Sequence, residues 1–331
     1  MKLVVLGAGA WGTALAISLS QKHAVTLWGR DSQHMQRLAV TRTNVRYLPG
    51  ITFPNSLTID INLDTALAGA DLSLIATTTA GLAATATLIH ERAPGMPVLW
   101  VCKGFDKNTG KLPHETVGAM TESNPQLHFG ALSGPSFALE VARGLPCALT
   151  LAANDLDFSR EMTTQLNGPM LRIYSSDDLV GVELGGALKN VMAIAVGICD
   201  GMQLGMNARA ALITRGLAEI VRLGVAMGGK PETFMGLTGL GDLVLTATGD
   251  LSRNRRVGME LAEGKNLNDI LATIGHVAEG VNSAQTALAL ARQHTVDMPI
   301  TEAVNAVLFA QADPRETVKR LLSRDTKAES E

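Results

Sequence analysis

The first 28 residues contain the feature that most narrows the possible folds. The apolar run KLVVL leads into the hexapeptide GAGAWG at residues 7–12, and a small-residue helix and a second apolar run, AVTLW, follow. In a strand–helix–strand unit Gly7 permits the tight turn, Gly9 admits a pyrophosphate to the backbone, and Gly12 packs helix on strand. Free N–H groups at the helix start then hold the anion. The pattern predicts a dinucleotide site, and glycines with a purely structural role are the alternative.

The alternation of apolar runs with helical segments continues to about residue 175. Eight runs are predicted as strands: KLVVL, AVTLW, SLTI, LSLIA, VLWVC, LHFGAL, CALTLA and LRIY. Strands that alternate with helices indicate a mostly parallel, doubly wound α/β sheet of the Rossmann-like class. From about residue 178 helical periodicity replaces the strands. We therefore expect a dinucleotide-binding domain over 1–177, an all-α substrate domain over 178–323 and a disordered tail over 324–331.

Composition limits the partners that this chain can have. The net charge is −3, aromatic residues make up 4% of the chain, and the three cysteines show neither metal nor redox spacing. The charge and the few aromatic residues argue against nucleic-acid binding, which needs a basic face or stacking aromatic side chains. The cysteine spacing predicts no metal site. The N-terminus has some features of a secretory signal, but its spaced glycines and the strand that follows argue against one. The widely separated cysteines suit a reducing cytoplasm. Charged residues interrupt the long apolar stretches, so we expect no membrane span.

The end of the second predicted strand indicates which dinucleotide is bound. An acidic residue there binds the ribose 2′-hydroxyl of NAD, whereas an arginine accommodates the 2′-phosphate of NADP. Arg30 comes first and Asp31 follows it. This order favours NADPH over NADH, while Asp31 is alternatively the cap of the next helix.

Lys189 stands alone in the apolar run GVELGGALKNVMAIAVGI. A helix that is apolar nearly all round lies in a core, where an ammonium group is costly. Its neighbours one turn away are not acidic. Either the lysine extends along apolar surface to reach water, or it is placed for chemistry with Gly185 and Gly186 leaving room for a ligand.

Other polar residues are placed at the predicted cleft. Lys103 directly follows the fifth strand, VLWVC, and the carboxyl ends of strands line such clefts, although a surface lysine is the alternative. In the next motif, LSGPSFALE, Gly134 and Pro135 are expected to start a helix to which Ser136 adds a hydroxyl. Asp242 lies in the glycine-rich segment TGLGDL and is a candidate partner for a buried lysine.

The segment SRNRR at residues 252–256 is expected to open a helix. Cations in a first helical turn oppose the helix dipole, so three arginines there are unfavourable unless an anion balances them. A substrate phosphate held by Arg253 and the helix N-terminus would do so. A solvated basic surface is the alternative.

From Lys2 to about Leu322 the chain resembles the bacterial NAD(P)-dependent glycerol 3-phosphate dehydrogenases. The resemblance rests on GAGAWGTALA, VCKGF, LSGPSFALE, GVELGGALKN, NARAALITRGLAE, TGLGDLVLT, SRNRR and HVAEG, in that order. It implies reduction of dihydroxyacetone phosphate to sn-glycerol 3-phosphate for phospholipid synthesis, with Lys189 as the proton-transfer residue, and a homodimer. The implied substrate site comprises Lys103, Gly134, Ser136, Lys189, Asp242, Ser252, Arg253 and Asn254. The implied cofactor contacts, beyond Gly7, Gly9 and Gly12, are Ala10, Trp11, Arg30, Lys103, Ala138, Arg253, Val277 and Glu279.

One segment departs from the family pattern. After the fourth strand the family usually has Val-Pro-Ser, whereas this chain has Thr77, Thr78 and Thr79. A threonine hydroxyl could replace the serine beside the dinucleotide. Two other functions are considered: another 3-hydroxyacid-type dehydrogenase with a helical second domain, against which SRNRR and TGLGDL argue, and a non-catalytic dinucleotide sensor, which would not need these charged residues.

Overall fold

The computed structural model describes residues 1–122, 124–274 and 278–323. The strands are β1 (Lys2–Leu6), β2 (Ala24–Trp28), β3 (Thr43–Asn44), β4 (Leu48–Thr52), β5 (Leu57–Asp60), β6 (Leu72–Ile75), β7 (Val98–Trp100), β8 (Phe129–Ser133), β9 (Cys147–Ala153) and β10 (Leu171–Ser176). The helices are α1 (Ala10–Leu19), α2 (Ser32–Thr41), α3 (Leu63–Leu67), α4 (Thr79–Arg92), α5 (Pro113–Gly118), α6 (Ala138–Ala142), α7 (Leu156–Leu166), α8 (Leu179–Gly201), α9 (Gly205–Ala226), α10 (Pro231–Phe234), α11 (Asp242–Thr248), α12 (Arg253–Ala262), α13 (Leu267–Ile274), α14 (Glu279–Gln293), α15 (Pro299–Phe309) and α16 (Pro314–Leu322). Val277 and the predicted tail lie outside the described residues.

Eight strands form one sheet in the order β10-β9-β8-β7-β6-β1-β2-β5. All eight runs predicted as strands are in this sheet. Neighbouring strands are parallel except β8 and β9, which are antiparallel. The sheet is covered on both faces, because Leu3 and Val5 pack into one apolar cluster and Val4 and Leu6 into another. The predicted doubly wound fold followed by helices is confirmed.

A small hairpin of β3 and β4 was not predicted from the sequence. Its strands lie in TNVRYLPGIT, where polar residues, a proline and a glycine give no apolar alternation. The hairpin supports the glycine turn, because the buried amide of Asn44 donates to the Ala8 carbonyl at 2.9 Å and to Thr13 Oγ1 at 2.8 Å.

The helices after β10 are built around α8. Most of α8 is buried, and its apolar residues form one cluster with residues of α9, α11, α12, α14 and α15. Among the described residues, α8 is the one helix long and apolar enough to cross a membrane, but 89% of its apolar window is buried inside the protein. Its hydropathy therefore reflects a core position within this fold.

The strand order reverses direction at β1, which has β2 on one side and β6 on the other. Ligands in open α/β sheets bind beyond the carboxyl ends of the strands at such a switch point. The turn after β1 and the loop after β6 meet there, since a Cβ added to Gly7 would lie 2.5 Å from the Ala76 carbonyl oxygen. The fold thus brings the GAGAWG turn and the Thr77–Thr79 segment to one cleft.

Candidate active site

The glycine turn has the backbone that dinucleotide binding requires. Gly7 has a φ of +128°, which favours glycine, and a Cβ on Gly12 would lie 2.0 Å from the Gly7 carbonyl oxygen. A Cβ on Gly9 would meet no atom within 4 Å, so the backbone is open on that side. Helix α1 begins at Ala10, within the motif, and Gly9 caps it without a side-chain hydrogen bond. The first N–H groups of α1, at Ala10 and Trp11, are therefore available to an anion.

Arg30 and Asp31 follow β2 and have different surroundings. Asp31 caps α2, accepting a hydrogen bond from the His34 backbone N–H at 3.0 Å. That hydrogen bond lowers the pKa of the Asp31 carboxyl. Arg30 is exposed, and no hydrogen bond or ion pair ties it to the described part of the chain. The alternative of Asp31 as a helix cap is confirmed, and Arg30 is the free cation at this strand end.

Two lysines from different parts of the chain share the carboxylate of Asp242. Lys189 Nζ, on α8, donates to Oδ1, and Lys103 Nζ, beyond β7, donates to Oδ2 at 2.6 Å. Lys103 also donates to the Gly134 carbonyl at 3.1 Å. The pairing of Lys189 with Asp242 was predicted, and its snorkelling alternative is wrong because Lys189 is buried. The second lysine on the same carboxylate was not predicted.

The surroundings of Lys189 set its proton affinity. Burial lowers the pKa of Lys189 to about 8, the Asp242 carboxylate opposes that shift, and the Lys103 charge adds to it. Both protonation states are thus accessible near neutral pH, which a proton-transfer residue needs.

The expectation that Gly185 and Gly186 leave room for a ligand is corrected by the packing. A Cβ on Gly185 would lie 2.6 Å from the Thr238 carbonyl oxygen, and one on Gly186 would lie 3.3 Å from Lys103 Cδ. These glycines accommodate a neighbouring backbone and the Lys103 side chain.

Two further motifs surround the lysines. Asp242 begins α11 after a five-residue π-helix, Leu237–Gly241, where a glycine-rich turn was expected. Gly134 has a φ of +138°, and the helix expected at Gly134 and Pro135 begins only at Ala138. Ser136 lies before it and donates to the Gly134 carbonyl at 3.0 Å. The Lys103 ammonium and the Ser136 hydroxyl therefore meet at one carbonyl.

The arginines that open α12 are not equivalent. Ser252 caps the helix, accepting from the Arg255 N–H at 3.2 Å. Arg255 pairs with Asp200 at 2.7 Å, and Arg256 pairs with Glu260 at 2.7 Å. Two of the three predicted unbalanced cations are therefore neutralised by protein carboxylates. Arg253 is exposed and forms no ion pair within 4.0 Å in the described part of the chain.

A chain of amides connects Arg253's helix to α8 and α14. The Asn254 amide donates to Asn190 Oδ1 at 2.9 Å and accepts from the Gly280 N–H at 3.0 Å. Asn190, which adjoins Lys189, lies 3.5 Å from Glu279 Oε2. Sequence reasoning did not single out Asn190, although its place after Lys189 in the GALKN motif could have indicated it.

Among the described residues around Asp242 and Glu279, cationic side chains outnumber the carboxylates. Burial raises the pKa of Glu279, and the nearby charges of Arg253, Lys103 and Lys189 oppose that shift. Three cations thus lie around the carboxylates of Asp242 and Glu279. An excess cation in a partly buried cleft attracts an anionic ligand. No cluster of three metal-ligating side chains occurs in the described ranges.

The Thr77–Thr79 segment contacts the same site. Thr78 precedes α4 without a side-chain cap, whereas Thr79 Oγ1 donates to the Lys103 carbonyl at 3.1 Å. A hydroxyl from the segment that differs from the family pattern therefore helps to fix the Lys103 backbone.

Comparison with known proteins gives matches along nearly the whole chain. The N-terminal model of NAD-dependent glycerol-3-phosphate dehydrogenase matches residues 2–159 and the C-terminal model residues 178–319. A glycerol-3-phosphate dehydrogenase [NAD(P)+] of Aromatoleum aromaticum is 55% identical over 330 residues, covering 99% of this chain and 100% of the relative. Its namesake in Janthinobacterium is 56% identical over 333 residues, with 99% of each chain covered. A crystal structure of glycerol-3-phosphate dehydrogenase from Coxiella burnetii has a TM-score of 0.91 at 42% identity, covering 98% of this chain and 99% of that one.

Proposed function

Because the chain belongs to the family of NAD-dependent glycerol-3-phosphate dehydrogenases, we propose that its cleft reduces dihydroxyacetone phosphate to glycerol 3-phosphate with NAD(P)H. One observation carries the proposal: Lys103 and Lys189 share the single carboxylate of Asp242. This leaves one ammonium charge unbalanced beside a proton donor. A phosphorylated ketone needs both a cationic surface and a proton for its carbonyl oxygen.

Each residue then has a chemical task. Lys189 protonates the carbonyl oxygen during reduction and takes the hydroxyl proton during oxidation. Lys103 and Asp242 orient the substrate, and Asp242 also holds the Lys189 ammonium, while Ser136 and the Gly134 backbone line the same pocket. Ser252, Arg253 and Asn254, at the start of α12, bind the substrate phosphate. Helix N-termini and arginine side chains both suit phosphate oxygens.

The residues around the glycine turn fit a dinucleotide, because the open side of Gly9 and the uncapped start of α1 suit a pyrophosphate. When bound, the nicotinamide supplies the hydride. Gly7, Gly12, Ala10 and Trp11 would hold the pyrophosphate side, and Arg30 the adenosine ribose. Ala138, Lys103, Arg253 and Glu279 would line the remaining part of the dinucleotide site.

The direct test mixes purified protein with dihydroxyacetone phosphate and NADPH and follows the loss of nicotinamide absorbance. We expect turnover with this ketone, little with 3-ketoacids and NADPH, and little with 3-hydroxyacids and NADP+ in the oxidising direction. Dinucleotide binding without any turnover would favour the sensor alternative. We further propose a cytoplasmic homodimer with a dinucleotide-binding domain over residues 1–177 and a helical substrate domain over 178–323, whose facing side chains together form the active site. Sedimentation of the purified protein tests the dimer.

Arg30 makes NADPH the preferred cofactor in this proposal. Arg30→Ala should raise the KM for NADPH by roughly 10- to 150-fold, the equivalent of about 1.5–3 kcal/mol for a lost charge-assisted hydrogen bond. The KM for NADH should change little. Arg37, also exposed and on the adjoining helix α2, provides the control Arg37→Ala. Equal changes for both cofactors would contradict a 2′-phosphate contact.

Arg253 is the phosphate anchor in this proposal. Arg253→Ala should lower kcat/KM for dihydroxyacetone phosphate by roughly 10- to 150-fold, the range for a lost hydrogen bond to a charged group. Because Arg253 also lines the proposed dinucleotide site, both substrates are measured at saturating NADPH, where activity on dihydroxyacetone, which lacks the phosphate, should hardly change. Arg256→Ala is the matched control, because Arg256 lies in the same turn but pairs with Glu260. An unaltered ratio between the two substrates in Arg253→Ala would show that another group binds the phosphate.

A further inference from the structure

Glu183 is a buried carboxylate that the proposed reaction does not use. It lies on α8, and its side chain is 3% exposed. Its oxygens accept from Trp100 Nε1 at 2.9 Å and from the His114 backbone N–H at 3.0 Å, and His114 Nδ1 lies 2.5 Å away. Burial raises the pKa of Glu183. Burial alone would lower the pKa of His114, but the hydrogen bond and charge of Glu183 raise it.

The two residues held by Glu183 are the two ends of one segment. Trp100 is the last residue of β7, and His114 is the second residue of α5. Residues 101–112 form the loop between β7 and α5 and include Lys103. Both ends of the segment that carries Lys103 are therefore attached to the same carboxylate.

Two further positions of helix α8 also lie close to the Lys103 side chain or its partner. Gly186 lies three residues, close to one turn, beyond Glu183 and so on nearly the same face. At Gly186 the Lys103 side chain passes close to the helix backbone. Three residues further along is Lys189, which meets Lys103 at Asp242. Successive turns of α8 thus hold the strand end, receive the Lys103 stem and supply the second ammonium.

We propose that Glu183 is a positioning residue for this reaction, holding Trp100 and His114 so that residues 101–112 bring Lys103 to Asp242 beside Lys189. The inference rests on the proposed role of Lys103. A displacement of about 1 Å of a group that positions the substrate can lower the rate on the order of 100-fold. Turnover should therefore depend on how firmly the segment with Lys103 is held.

A matched control for loss of a buried carboxylate exists in the helical part of the chain. Glu219, on α9, is 1% exposed and accepts from the Ile300 N–H at 2.6 Å, the Thr301 N–H at 3.1 Å and the Thr301 hydroxyl at 3.0 Å. It holds the start of α15. Glu183 and Glu219 therefore each contact three hydrogen-bonding groups, but of the two only Glu183 holds the segment with Lys103.

The experiment measures kcat/KM for dihydroxyacetone phosphate and the Tm of Glu183→Ala, Glu183→Gln and Glu219→Ala. We expect a loss of roughly 30- to 100-fold in Glu183→Ala and of less than about threefold in Glu219→Ala, with both Tm values lowered. Glu183→Gln should restore activity to within about threefold, because its amide oxygen still accepts both N–H groups and its amide nitrogen donates to unprotonated His114 Nδ1.

A double-mutant cycle with Lys103→Met tests whether Glu183 affects kcat/KM through Lys103. If Glu183 acts through Lys103, adding Glu183→Ala to Lys103→Met should lower kcat/KM by less than about threefold more. Losses that multiply would overturn the positioning role and leave a structural one. Full activity of Lys103→Met alone would instead overturn the role of Lys103 itself. If Glu183→Ala does not fold, Trp100→Phe enters the same cycle, because it removes the indole N–H that donates to Glu183 while a smaller aromatic ring stays in the core.

Discussion

Lys189→Met should fold, bind NADPH and lose about 10²- to 10⁴-fold in turnover, the range for a missing general acid or base. Methionine keeps much of the apolar volume of the lysine stem in the core of α8 while the ammonium is removed. The measurement is kcat in both directions, with NADPH binding followed by fluorescence as a check on the fold. A variant within about tenfold of the parent would exclude Lys189 as the proton donor and make Lys103 the next candidate.

The pH profile of the parent enzyme tests the same role of Lys189, because reduction and oxidation need opposite protonation states. With the pKa of Lys189 lowered to about 8, reduction needs the protonated form and should slow as pH rises through that value. Oxidation needs the neutral form and should slow as pH falls through it. These limbs should be absent in Lys189→Met. A basic limb of reduction that persists in the variant would assign the titration to another group.

The strands could be predicted because a sheet buried on both faces needs continuous apolar runs, and all eight such runs became strands. The β3–β4 hairpin could not, because it is held by the Asn44 amide on the glycine turn and carries no apolar pattern of its own. Local chemistry also placed a helix start at Gly134, but α6 begins at Ala138. The left-handed backbone of Gly134 is needed where β8 leaves the sheet, and this delays the helix.

The active-site residues that could be predicted are those that are unfavourable in their local sequence, such as a lysine in an apolar helix. An ammonium in an apolar helix needs a distant carboxylate, which made Asp242 the expected partner of Lys189. Lys103 contacts the same carboxylate although it is 139 positions from Asp242 in the sequence. No local sequence pattern predicts a contact between residues so far apart. Glu183 could not be predicted from the neighbours of Lys189, because its partners are Trp100 and His114. Glu183 lies six positions away and contacts the strand end that carries Lys103.

Asp242→Asn should have the largest combined effect on stability and activity, because it removes the one carboxylate between two ammonium groups. Breaking a buried ion pair by removing one partner costs about 3–5 kcal/mol of unfolding free energy. The lysines can reduce that cost by releasing a proton, since the Asp242 charge is what raises the pKa of Lys189 against burial. The pKa of Lys189 should therefore fall further in the variant, and reduction at neutral pH should slow.

The pH dependence of stability separates this explanation from simple loss of packing. When the pKa of a lysine is lower in the folded than in the unfolded state, the unfolded state binds more protons and stability rises with pH. Urea unfolding should therefore show a larger loss for Asp242→Asn at pH 6 than at pH 9, and the basic limb of reduction should move to lower pH. Asp250→Asn is the control, because Asp250 is exposed and its one ion pair within the described ranges is with Arg255. An equal loss of unfolding free energy at both pH values, with an unmoved limb, would mean that Asp242 acts through packing and that its charge does not set the proton affinity of Lys189.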